Sequence, residues 1–176
     1  MLIIARVLFY IIILAASPLL YAVDIDEFYG NYAGMVSFEQ DGQTRERELQ
    51  VKISGKGDGF SVRWVTISRK SGGKRDRKDY SIDFLPSGRA GIFRSAMKKD
   101  IFGSRIAMDP MKGEPYVWAR LREKALTVYV ILVTEDGSYD LQVYNRSLVG
   151  GDLKLEFQRF LEGIPVRNIE TILKRQ

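Results

Sequence analysis

From residue 31 onward the chain alternates apolar and polar positions with a period of two, interrupted by glycine-bearing turns. In Glu48–Ser54, Leu49, Val51 and Ile53 alternate with Glu48, Gln50 and Lys52. One wet and one dry face at every second residue is the mark of a strand. Residues 55–59 then read as a turn, and Phe60–Ser68, rich in aromatic and β-branched residues, as the next strand. A second turn at 71–75 leads into Tyr80–Leu85. The second half repeats the habit with Tyr116–Arg122, Leu126–Thr134, Tyr139–Leu148 and Leu153–Leu161. Their links include Asp136-Gly137 and Gly150-Gly151, both hairpin signals. Asn31–Gln40 adds a first strand and Arg89–Ser95 a weak one. Only 96–114, with Pro110 and Gly113, is long enough to be an extended loop.

Strands joined by such short links pair antiparallel, because a parallel crossover needs about a dozen residues or more. The C-terminus differs. After Pro165, residues Val166, Ile169, Ile172 and Leu173 recur at helical spacing and predict a short helix. The two-sided apolar strand 126–134 offers an outer face for it. The expected fold is therefore all-β: a single antiparallel up-and-down β-barrel of eight or nine strands, with a short C-terminal helix packed outside. Closure removes the free edges that would template aggregation. A barrel of that size either holds one small ligand or fills with side chains.

Residues 1–22 follow another rule. Arg6 precedes an uncharged run from Val7 to Ala22, with Pro18 near its end and Asp24 just beyond. A basic start, an apolar middle and a small residue at the end make a secretory signal peptide, cleaved after Ala22. An uncleaved anchor is the alternative, but the run is short of the roughly 20 residues a spanning helix prefers. The expectation is an exported protein, bacterial periplasmic or otherwise secreted, with residues 23–176 as its single domain. The composition excludes much chemistry. With 0 Cys, disulfides, thiolate metal sites and cysteine nucleophiles are out; with 0 His, so are a Ser-His-Asp triad and a His base. The net charge of +5 is mild and does not demand a nucleic-acid partner.

The stretch from Asp26 to Tyr32 carries Gly30 and Tyr32 on the first strand, after a short turn. In this it resembles the calycins, the lipocalin-like and avidin-like barrels, whose first strand bears Gly-x-Trp. Tyr32 stands where that Trp would be. The resemblance implies a basic residue from late in the barrel packed across this ring, and Arg159 is the candidate. It also implies binding of small, often apolar ligands.

Several strand faces extend apolar rows with arginine. Arg45 and Arg47 follow the face of Leu49, Val51 and Ile53; Arg120 follows Tyr116 and Trp118; Arg159 follows Leu155 and Phe157. Facing inward, such guanidiniums would suit a carboxylate or phosphate head. Facing outward, they would be rim arginines paired with acids. The candidate ligand-binding set is Tyr32, Arg47, Trp64, Trp118, Arg120, Tyr139 and Arg159, with no catalytic residue, metal or cofactor. Arg69, Lys70, Lys74, Arg75, Arg77 and Lys78 form a basic hairpin that could touch an anionic membrane surface or an acidic protein. The leading expectation is a monomeric, non-catalytic carrier of a fatty acid or another lipid with an anionic head. The rival is a cell-envelope interaction module with a filled barrel, using the basic hairpin as its contact.

Overall fold

The structure, a computed structural model, describes residues 24–40, 42–69, 75–96, 98–99, 105–106 and 108–176. The expected signal peptide at 1–22 and the hairpin residues Lys70 and Lys74 lie outside them. A 3-10 turn, Ile25–Phe28, opens the fold. The strands are β1 (Gly30–Gln40), β2 (Gln43–Lys56), β3 (Gly59–Arg69), β4 (Arg75–Pro86) and β5 (Ile92–Ser95). A two-residue pair, β6 (Lys98–Lys99) and β7 (Arg105–Ile106), follows, then a 3-10 turn, Pro110–Lys112, that lies against β9. The rest are β8 (Tyr116–Arg122), β9 (Ala125–Val133), β10 (Tyr139–Val149), β11 (Asp152–Leu161) and β12 (Ile164–Arg175).

All strands except β6 and β7 form one closed antiparallel barrel in the order β1-β12-β11-β10-β9-β8-β5-β4-β3-β2. The barrel is all-β and up-and-down, as expected, and compatible with a calycin-like fold. It has ten strands rather than eight or nine. The tenth replaces the expected C-terminal helix: Ile164–Arg175 is β12, seated between β11 and β1. Its apolar residues fit both periods, and the barrel decides between them. Leu173 points in and is 0% exposed, while Val166 and Ile172 point out at 47% and 48%. As a helix this segment would have left the edges of β1 and β11 unpaired; as a strand it pairs along β11 and joins β1 at the sealed end.

Hairpins hold the register. Gly150 and Gly151 both have positive φ, 60° and 91°, in the two-residue turn between β10 and β11. That geometry matches the right-handed strand twist and favours glycine.

The turns between β2 and β3, β8 and β9, and β10 and β11 lie at one end, which is sealed. Phe28, Phe60, Phe84, Leu126, Leu153 and Leu173 are all 0% exposed there. Phe60 stacks on Phe84 at 5.0 Å and meets Phe93 edge-on at 5.0 Å. Tyr32 is 1% exposed and donates its hydroxyl to the Phe28 carbonyl at 3.0 Å. The cation across Tyr32 is Arg175, whose guanidinium lies 5.5 Å from the ring centre and also donates to the Tyr29 carbonyl. Arg159, the residue expected there, is on β11 and pairs with Asp140 instead. With 165–176 read as a helix, the sequence could not offer Arg175 for that role.

The other end is looser at two seams. β5 is only four residues long, so it pairs with β4 through Phe84, Leu85 and Pro86, and among the described residues none pairs with 75–82 of β4 on that side. β1 and β12 pair only at Tyr32↔Arg175 and Ala33↔Lys174, with Thr171 Oγ1 donating to the Met35 carbonyl just beyond.

Candidate functional site

Above the sealed core the barrel is hollow. A cavity of about 790 Å³ opens toward the looser end, within the range of small-molecule sites. Its walls follow from strand parity. Val36 and Phe38 on β1, Leu49 and Val51 on β2, Trp64 on β3, Val117 on β8, Val130 and Leu132 on β9, Leu155 and Phe157 on β11, and Ile169 on β12 all face it. An aromatic series crosses the barrel from wall to wall. Tyr80 stacks on Trp64 at 5.7 Å, Trp64 meets Tyr144 at 6.1 Å, and Tyr144 meets Phe157 at 4.8 Å.

The inner face of β10 carries the polar groups. Asp140, Gln142, Tyr144 and Arg146 are successive inward positions, two residues apart. Tyr144 donates its hydroxyl to Gln142 Oε1 at 2.9 Å, and Gln142 Nε2 reaches Asp140 Oδ2 at 3.4 Å. Asp140 accepts from Arg159 through both oxygens, at 2.8 Å and 3.1 Å. This fork holds Arg159 charged and neutralises it.

Arg146 is different. It is 2% exposed, the largest fully buried side chain of the described residues. Among the described residues it donates from Nη1 to the Tyr144 carbonyl at 3.3 Å, and its guanidinium carbon lies 5.5 Å from the centre of the Tyr144 ring. Its Nε has no hydrogen-bond partner among the described residues. Burial pushes the guanidinium down to about 10, so it remains a cation at neutral pH. No carboxylate among the described residues pairs with it. An uncompensated buried charge costs several kcal/mol, which makes the guanidinium at the base of the cavity a strong attractor for an anion.

A second cationic group lies at the mouth, where β1 and β12 part. The guanidiniums of Arg47 and Arg167 sit 4.7 Å and 5.4 Å from the centre of one ring, Phe38. Burial first, then the charges of Arg167 and Arg45, lower the Arg47 pKa.

The sequence-derived candidates separate. Arg47, Trp64, Arg159 and Lys78 line the cavity. Tyr32 belongs to the sealed core. Trp118 and Arg120 are on the outer face, because Val117, Ala119 and Leu121 take the inward positions of β8. Ala119 is inward, opposite Val128 and Phe93, so the larger neighbours turn out. Outside, Trp118 stacks on Tyr129 at 4.8 Å. Tyr139 is 37% exposed at the rim, with its amide held by Glu162 Oε1 at 2.7 Å.

The basic hairpin also divides. Arg69 and Arg75 are exposed, and Lys78 turns to the cavity. Arg77 and Arg63 share Asp79 on the outer face, at 3.1 Å and 2.6 Å. Alternation along β4 splits the cluster between two faces, so it is not a single patch.

Arg146 and Arg167 escaped the sequence reading as site residues. Tyr144 and Leu148 flank Arg146 at two residues on either side, which is the signal that carried it. It overlaps an Asn145-Arg146-Ser147 sequon whose asparagine proves engaged, accepting from Thr127 and donating to Glu156 on the outer face. Among the described residues no group of acids gathers to hold a metal, and no helix is long and apolar enough to cross a membrane. No protein-family model matches the chain, and the curated proteins contain no match to it.

Proposed function

We propose that this protein is an exported, lipocalin-like binding protein that holds a small amphipathic molecule with an anionic head, and that it carries out no catalysis. One observation carries the reading: Arg146 is buried at the base of an apolar-walled cavity without a counter-charge. A methionine or leucine would fill that position without the cost of desolvating a cation. An anionic head supplies the missing charge, and the ring of Val, Leu, Ile and aromatic side chains receives an apolar tail. A fatty acid has both features. A hollow barrel does not favour the rival reading, in which the interior is filled and binding rests on the basic hairpin alone.

The test is displacement of a fluorescent fatty acid from the purified, delipidated protein, with native mass spectrometry to read the bound mass. Hexadecanoate is expected to bind one to one. Arg146→Met is expected to weaken it about tenfold to a hundredfold, the value of a hydrogen-bonded charge. A wild-type protein that takes up no anionic amphiphile would sink the proposal.

A further inference from the structure

Besides the exposed Lys78, two cationic positions of the cavity lack a carboxylate partner among the described residues, and they are far apart. The first is Arg146 at the base. The second is the Arg47–Phe38–Arg167 group at the β1/β12 seam. On β11 and β12, Arg159 stands directly opposite Arg167. The mouth therefore gathers Arg47, Arg159 and Arg167, with Asp140 as the carboxylate that pairs with Arg159. Neither Arg47 nor Arg167 has a carboxylate partner among the described residues. Like charges directly opposite on a sheet repel. Arg47 feels Arg167 directly.

Strand registers set the separation. Arg146 is opposite Leu155, and Leu155 is opposite Thr171. Arg167 lies four residues further along β12. Four residues of rise and two strand spacings put the two backbone positions roughly 16 Å apart. Between them, Leu155 and Phe157 on β11 and Ile169 on β12 give the wall an apolar stretch. A ligand with one anionic head would satisfy one end and leave the other repelling itself.

We infer that the ligand of this cavity carries an anionic group at each end of an apolar body: one group meets Arg146 and the other is gripped by Arg47 and Arg167. This deepens the binding reading above and rests on it. The chemical class is a long-chain α,ω-dianion, such as a dicarboxylate. The flat guanidiniums beside Phe38 present paired donors to the outer group.

The experiment compares hexadecanedioate with hexadecanoate as displacing probes on the purified protein. The wild type is expected to prefer the dianion at least tenfold. The double variant Arg47→Gln/Arg167→Gln is expected to bind the two probes alike. Arg63→Gln, which removes a guanidinium from the outer face, is expected to keep the wild-type preference. Thermal melting guards against misfolding: with the two repelling charges gone, the ligand-free double variant should melt no lower than the wild type. Equal affinity for the two probes in the wild type overturns the inference while leaving the binding reading in place. So does a preference that persists in a folded double variant. If neither probe binds the wild type, the binding reading fails and takes this inference with it.

Discussion

The two ends of this barrel use the same strands and the same alternation of side chains, yet one is sealed and the other is hollow. At the sealed end the inward positions are largely apolar and closely packed, and Phe60, Phe84 and Phe93 interlock. Two cations there lie outside and are paired, Lys56 with Asp83 and Lys174 with Asp152, each at 2.7 Å. Such exposed pairs contribute little to stability, and the apolar core carries it. At the open end the inward positions include Arg47, Lys78, Arg146, Arg159 and Arg167, and the seams beside β5 and β12 lose their ladders. Stability is concentrated where packing is complete. Recognition is possible where charge has been left without a partner.

The largest expected break of this contrast is at the sealed end. Phe60→Ala removes a ring in contact with two others and should cost about 3–5 kcal/mol, read as a lower urea midpoint. A cost below about 1 kcal/mol would mean the end is not the stabilising core. A truncation on the cavity wall leaves no new buried void of that kind and should cost less.

Next comes a change of opposite sign. In the ligand-free protein Arg146→Met should raise stability by about 1–4 kcal/mol, because it replaces an unpaired buried cation with an apolar side chain of similar reach. The same variant is the one expected to lose ligand, so stability and binding move apart. Marked destabilisation would show that Arg146 serves the fold.

The smallest effect is at the outer wall. Asp79 is depressed to about 2, first because Arg63 donates to it and then because of Arg77. An acid with a lowered folded pKa contributes above its unfolded value, and the contribution fades as pH falls from about 4 toward 2. Asp79→Asn should lower stability slightly at neutral pH, where the contribution is fully present, and flatten that part of an acid-denaturation curve. An unchanged curve would show that solvent screens the pair completely.

Much of the barrel was legible along the chain. Glu48–Ser54 and Leu153–Leu161 have a clean period of two, and β2 and β11 contain them. The β12 segment was not legible, since Val166, Ile169, Ile172 and Leu173 satisfy a helical stripe as well as a strand, and only the empty place between β11 and β1 chooses. Candidate arginines were legible as a type but not as individuals. Arg120 and Arg47 each extend an aromatic or aliphatic row, and a shift of one position sends one outside and the other inside.

The sequence by itself determined the antiparallel strands, their turns and the absence of cysteine and histidine chemistry, because these depend on neighbours a few residues apart. The tertiary structure decided which guanidiniums keep a carboxylate. Asp140 reaches Arg159 across strands, and no carboxylate among the described residues reaches Arg146. Charge compensation depends on distances across the barrel, which are set only once the last strand closes it.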